Sequence, residues 1–358
     1  MQSQRKELSF KDERIYVGFD VHAKSWKVTI LTEHLLHKTF VMPASPEKLY
    51  EYLIKHFPEA HYYSAYEAGF CGLWIHYRLV ALGINNIVVN PADIPTTQKE
   101  VAQKEDLRDS RKIAKSLRNG SLTGIYIPQE NTLSERAIVR MRCQIVKDLN
   151  RCRCRLKSYL YFHGIEYPEQ FCKIQHHWSR AFISWIESLE IANGSGKTVL
   201  NLLLQEVKEL RRLLLETNMH IRNLARSEKY KELANILLSI PGIGMTTAMN
   251  ILTELEDINR FKSFDCFCSF VGLIPSTCSS GEKETVRGIT FRGHRLRRMI
   301  VESAWIAARQ DPALSHSFSG YCRRMEVNKA IIRVARKLLS RIYSTLKNKQ
   351  LYQTGKVA

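Results

Sequence analysis

Apolar residues in the first 130 positions come in short alternating runs that give way to helical spacing. RIYVGFDV, WKVTIL and LLHKTFV, within residues 14–41, are β-branched and aromatic with polar breaks between them, which predicts three consecutive strands. SPEKLYEYLIKHF offers a Ser N-cap, Pro at the first helical position and apolar residues at helical intervals. HYYSAYEAG reads as a fourth strand, GLWIHYRLVALG as a helix, NNIVVNP as a short buried strand, and KEDLRDSRKIAKSLRNG opens another helix.

The order βββαβαβα is that of the ribonuclease-H fold. Alternation of strands and helices alone would also fit a doubly wound sheet, and the opening three-stranded meander together with the placement of the acids described below decides between them. Residues 132 to 230 read as almost wholly helical. There Leu203, Val207, Leu210, Leu214, Ile221 and Leu224 fall on the a and d positions of a heptad, with Thr217 in the one polar slot. With charged flanks, that seam predicts self-association or a helical hairpin. IANGSGKT, residues 191–198, breaks the pattern and is the hinge candidate. Farther on, PGIG lies between two apolar-periodic helices, the helix-hairpin-helix pattern. Gly242 and Gly244 are expected to give the turn positive φ and to offer backbone N–H groups to a phosphate. The expected division is an α/β part over 1–130, a helical coiled-coil part over 131–232 and a mostly helical part over 233–358.

Charge adds a partner to this picture. The 358 residues carry 54 Lys and Arg against 35 Asp and Glu, a net +19. Between Arg287 and Lys349 there are 15 basic and 3 acidic residues, interleaved with Trp305, Phe318, Tyr321, Ile331 and Ile332. A folded helical surface of that sign fits nucleic acid, whose phosphates release counterions when neutralised. No run approaches the ~20 apolar residues of a membrane span. The N-terminal segment lacks a signal-peptide core, so a cytoplasmic protein with reduced cysteines is expected. The C-x-C pairs Cys152/Cys154 and Cys266/Cys268 lack zinc-site spacing.

Candidate chemistry begins with four acids. Asp20 ends the first strand, Glu67 ends the fourth, and Asp106 and Asp109 lie one turn apart early in the helix after the fifth. Singly, each has a structural role open to it: a turn cap, a solvated carboxylate, a favourable charge at a helix N-terminus. In a ribonuclease-H sheet the first and fourth strands are adjacent and the late helix returns over the same edge. Four converging carboxylates repel one another unless cations bind, and hard oxygen donors select Mg²⁺ or Mn²⁺. A second cluster, GLIPSTCSSGEKETVRGITFRGHRLRR, puts Ser276, Ser279 and Ser280 in what reads as a flexible cationic loop. Serine-glycine loops are commonplace, so these residues alone leave a nucleophile and an ordinary loop both open.

The sequence resembles the IS110 family of insertion-sequence transposases, whose members are bridge-RNA-guided recombinases. The resemblance runs from YVGFDVHAKSWKV through YEAGFCGLWIHYRL, VVNPADI and KEDLRDSRKIA to SIPGIGMTTAMNIL and FVGLIPSTCSSGEKETVRGITFRGHRLRRMIVESAW. It implies that Asp20, Glu67, Asp106 and Asp109 are the metal-binding DEDD set of a RuvC-like domain and that Ser280 is the nucleophile of a C-terminal transposase domain. It also implies a structured guide RNA, donor and target DNA, and assembly as a dimer or tetramer in which the serine of one protomer completes the acidic site of another. Arg287, Arg292, Arg295, Arg297 and Arg298 are then expected to hold DNA backbones. Two rivals share these residues: a junction-resolving nuclease that uses water on the same carboxylates, and a non-catalytic nucleic-acid scaffold.

Overall fold

The computed structural model describes residues 10–94, 106–191, 194–280, 283–290 and 295–354. The chain divides into two compact units, Met1–Glu130 and Asn131–Ala358.

In the first unit, β1 (Arg14–Val21), β2 (Ser25–Leu31), β3 (Leu36–Pro43), β4 (His61–Glu67) and β5 (Asn85–Val89) form one sheet in the order β3-β2-β1-β4-β5. The meander β1-β2-β3 is antiparallel, whereas β1, β4 and β5 run parallel. Alternation decides which face each residue takes. Ile15, Val17 and Phe19 join Trp26, Val28 and Ile30 on one face, beneath α1 (Pro46–His56) and α2 (Trp74–Ala81), which contribute Leu49, Leu53, Ile75 and Leu79. Phe19 stacks on Trp26 at 5.1 Å, and each buried ring adds about 2–3 kcal/mol of apolar transfer. Ser45 starts α1, its Oγ accepting the Lys48 N–H.

The other face is covered by α3 (Asp106–Arg118). That helix comes close because β1 has Gly18 there. A Cβ at Gly18 would lie 2.2 Å from the Ala114 nitrogen and 2.4 Å from the Ser110 carbonyl oxygen. Ser110 is fully buried and shares a 3.0 Å hydrogen bond with Thr29 of β2. Ile113 packs with Ala65, Val89 and Ile94.

In the second unit, α4 (Glu130–Phe162) and α6 (Gly194–Arg226) are each 33 residues long. They run antiparallel: Tyr159 donates to the Gly196 carbonyl, Arg155 to Glu206 and Arg142 to Asn218. The predicted seam is used inside this unit. Val207 lies in one core with Leu149, Cys152 and Leu156, with Leu203, Leu210 and Leu214 against its edge. Thr217 is buried but satisfied, donating to the Leu213 carbonyl. Between the long helices, α5 (Arg180–Ser188) packs Phe182 against Phe171 and Trp185.

The expected break at 191–198 is shorter than its composition suggests. Helix α6 already starts at Gly194, and Thr198 donates to the Gly194 carbonyl. Lys197 reaches back to the Glu187 and Leu189 carbonyls at the end of α5. Glycine is tolerated in a first turn, where hydrogen bonds to the preceding residues are lacking anyway.

A further core joins α7 (Lys231–Leu238), α8 (Met245–Leu255), α9 (Phe264–Val271), α10 (Arg295–Gln310), α11 (Pro312–Cys322) and α12 (Val327–Asn348). A hairpin of β6 (Pro275–Ser280) and β7 (Lys283–Ile289) sits between α9 and α10 in the chain.

Candidate active site

The parallel register of β1 and β4 pairs Gly18 with Ala65 and Phe19 with Tyr66. One step further, Asp20 and Glu67 stand side by side, about 5 Å apart at the backbone. Both alternate with core residues, so their carboxylates face the α3 side of the sheet. Asp20 and Glu67 are half-buried.

Helix α3 runs against the direction of β1. Ser110 and Ala114 lie over Gly18, while Leu117 lines a groove with Tyr63 and Asn85 near the opposite strand ends. Asp20 is two residues, about 6.6 Å, beyond Gly18. Asp106 is one turn, about 6 Å, before Ser110 in the same direction. The first turn of α3, with Asp106 and Asp109, therefore heads for the strand ends that carry Asp20 and Glu67. Asp109 is half-buried, and the Asp106 side chain lies outside the described part of the structure. Among the described residues, no three His, Cys, Asp or Glu side chains are grouped to hold a metal ion.

Sequence reasoning passed over two residues here. His22 places Nδ1 3.5 Å from Asp20 Oδ2. Its signal was available, because positions 20 and 22 share a face of an extended strand. Gly18 is the other: it admits α3, and a lone glycine in a strand hints at a close approach without naming the partner.

Ser280 is not in a loop. It ends β6, its backbone opposite Lys283, with Ser279 opposite Glu284. The β-branched Thr277, Thr285, Val286 and Ile289 favour a pleated ribbon over the flexible segment that the serines and glycines suggested. The connection 281–282 and the side chains of Ser280 and Arg287 lie outside the described part, as does Arg292.

Three further arginines open α10, and they differ in their bonding. Arg297 donates to the Thr290 carbonyl at 2.6 Å and to the Gly272 carbonyl at 3.3 Å, bracing the base of the hairpin. Arg298 pairs with Glu302 at 3.0 Å on an exposed surface, and Arg295 is exposed. In the PGIG turn only Gly242 has positive φ, +87°. A Cβ there would lie 2.5 Å from the Ser303 carbonyl, so this glycine is required by packing against α10. Gly244 has φ −92° as the N-cap of α8, with open space about it. The expectation of positive φ at both glycines thus holds at one.

Known proteins match both parts of the chain. A DEDD transposase model of the IS110 group matches residues 17–164, and a second, described as transposase of the IS116/IS110/IS902 family, matches residues 234–319. The transposase for insertion sequence element IS1533 of Leptospira borgpetersenii is 27% identical over 366 aligned positions, covering 94% of this chain and 97% of that protein. The chain belongs to the IS110 family of transposases. Among other relatives, the transposase for IS1111A of Coxiella burnetii is 23% identical over 80% of this chain and 78% of its own length. The Sinorhizobium fredii protein y4qE is 28% identical over 68% of this chain, which spans 58% of y4qE. As an IS110-family transposase the chain is a DNA-processing enzyme. No helix among its described residues is long and apolar enough to cross a membrane.

Proposed function

We propose that this transposase cuts and rejoins DNA with Ser280 as nucleophile and a metal-binding set of carboxylates, guided by a structured RNA. The observation that carries the reading is the convergence at one sheet end: Asp20 beside Glu67, with the first turn of α3 directed at both. The strand order β3-β2-β1-β4-β5, antiparallel in the meander and parallel after it, supports a ribonuclease-H-like, RuvC-like domain over 1–130. The remaining segments are a coiled-coil part over 131–232 and a C-terminal transposase domain over 233–358.

The donor set fits a hard divalent cation, Mg²⁺ or Mn²⁺, because all four candidate ligands, Asp20, Glu67, Asp106 and Asp109, are carboxylates. When bound, such an ion supplies positive charge against the scissile phosphate. His22 fixes the orientation of the Asp20 carboxylate from the side. The Ser280 hydroxyl attacks phosphorus, a new serine O–P bond forms, and the P–O3′ bond breaks. The hydroxyl proton is lost to solvent, and the departing 3′ oxygen takes one up. The product is a 5′-phosphoserine link with a free 3′-OH, and reversal onto another strand reseals DNA without ATP.

Arg287, Arg292, Arg295 and Arg298 hold phosphates, Arg297 chiefly supports their platform, and Gly244 offers its helix N-terminus. Partners are donor and target DNA, the guide RNA and further copies of the chain in a dimer or tetramer, in a cytoplasmic setting.

The test is a denaturing gel of protein incubated with labelled donor DNA, guide RNA and Mg²⁺. A protein-linked band lost in Ser280→Ala and Asp106→Asn but kept in Ser279→Ala is the expected result. Plain cleavage with no linked band would instead give the water nucleophile of a junction-resolving nuclease.

A further inference from the structure

Half of the ten arginines on the long helices of the second unit have acidic partners. Arg151 pairs with Asp148, Arg155 with Glu206, and Arg212 with Glu209 and Glu216. Arg153 and Arg211 differ: among the described residues neither has a carboxylate within ion-pair distance. Both converge on Trp178. The Arg153 guanidinium lies over the Trp178 ring at 5.1 Å, and Arg211 Nη1 donates to the Trp178 carbonyl at 2.8 Å.

This corner is short of acceptors. Arg153 Nε is shielded from solvent and has no hydrogen-bond partner. Trp178 has φ +68°, a conformation that a bulky residue rarely adopts, and the next residue, Ser179, caps α5. The N-terminal end of α5 adds partial positive charge. Burial lowers the Arg153 pKa, and repulsion from Arg211 lowers it further. Two half-buried guanidinium groups of like charge are costly side by side unless an anion completes them.

We infer that Arg153, Arg211 and the α5 N-terminus form a seat for a backbone phosphodiester of nucleic acid, separate from the carboxylate face and from the hairpin arginines. Guanidinium forks suit phosphate oxygens, and the aromatic body of Trp178 keeps Arg153 in place while its terminal nitrogens, which make no hydrogen bond among the described residues, remain for a ligand. The seat adds affinity and register and carries no base specificity. It rests on the reading that this transposase handles nucleic acid, but not on the serine chemistry.

Full-length protein is titrated with labelled single-stranded RNA and, separately, with duplex DNA across a salt series, comparing wild type with Arg153→Gln and Arg153→Glu. Arg153 Nε makes no hydrogen bond that the substitution would remove, and thermal melting checks that the fold is kept. Expected are an unchanged melting midpoint and affinity reduced roughly five- to tenfold in R153Q. The slope of log K against log salt becomes shallower by about 0.7 for a single strand or 0.9 for a duplex, and R153E is weaker still. Whichever polymer shows the loss supplies the phosphate. Unchanged affinity and slope for both polymers, in variants that melt as wild type, would overturn the seat while leaving the proposed function standing. So would stabilisation by inorganic phosphate alone, or a changed oligomeric state with nucleic-acid binding intact. Wild-type protein that binds neither polymer would sink both readings.

Discussion

Gly18 matters because it lacks a side chain. With a methyl group 2.2 Å from a backbone nitrogen of α3, the helix must lift from β1, and the Thr29–Ser110 hydrogen bond and the packing of Ile113 go with it. Gly18→Ala is expected to cost about 3 kcal/mol in denaturant unfolding. It should abolish strand cleavage even where the protein stays folded, since the same shift moves Asp106 and Asp109. A variant with wild-type stability and activity would show that α3 is not seated on Gly18. Thiol chemistry gives a second check on packing. Burial pushes Cys152 and Cys268 up to about 11, while Cys154, Cys172 and Cys266 are exposed. Because the thiolate is the reactive form, iodoacetamide at pH 8 should modify the exposed three at least about a hundredfold faster, with the buried pair reacting only on unfolding. Mass spectrometry of timed samples reads the order directly.

Among elements, the packing of α4 on α8 depends on a buried charge. Glu254 of α8 exposes only 2% of its side chain and accepts two hydrogen bonds at 2.7 Å from Arg140 of α4, in fork geometry. Arg136 lies 3.8 Å away and donates to the Thr253 carbonyl. Burial pulls the Arg136 pKa down, and Glu254 opposes that pull. Glu254→Gln leaves two arginines short of a counter-charge and should cost about 3–5 kcal/mol, read by urea unfolding; a loss under about 1 kcal/mol would mean that water already replaces the pair. No sequence pattern announces this pairing, because the partners are more than a hundred residues apart. The sheet was far more legible: strict alternation in RIYVGFDV and the terminal positions of Asp20 and Glu67 sufficed to bring two acids together. The heptad stripe of α6 was legible too, but a stripe says only that something apolar covers it, and α4 of the same unit does so. The β6–β7 hairpin was missed because serine, glycine and lysine read as loop, and it is backbone pairing that makes them strands. The approach of α3 to β1 depended on Gly18, which has no apolar pattern to reveal it.

Over the whole molecule, the positive charge is concentrated in one of the two units. Residues 1–130 hold 17 Lys and Arg against 15 Asp and Glu, a net +2, while residues 131–358 hold 37 against 20, a net +17. The carboxylate face thus sits on a nearly neutral unit, which favours cation binding, and the polyanion-binding charge sits on the other. On α12, Arg333 and Lys337 lie 5.8 and 5.7 Å from the Tyr321 ring, and Lys337 also donates to Ser317. Neutralising both to Gln should weaken duplex DNA binding and flatten the salt slope by about two, because each of the two cations then no longer displaces a counterion from a phosphate. The same treatment of Lys48 and Lys55 on α1 of the first unit should leave affinity and slope unchanged. Equal effects from the two pairs would mean that net charge alone, acting at long range, sets the affinity, and that the basic helices of the second unit do not touch the phosphates directly.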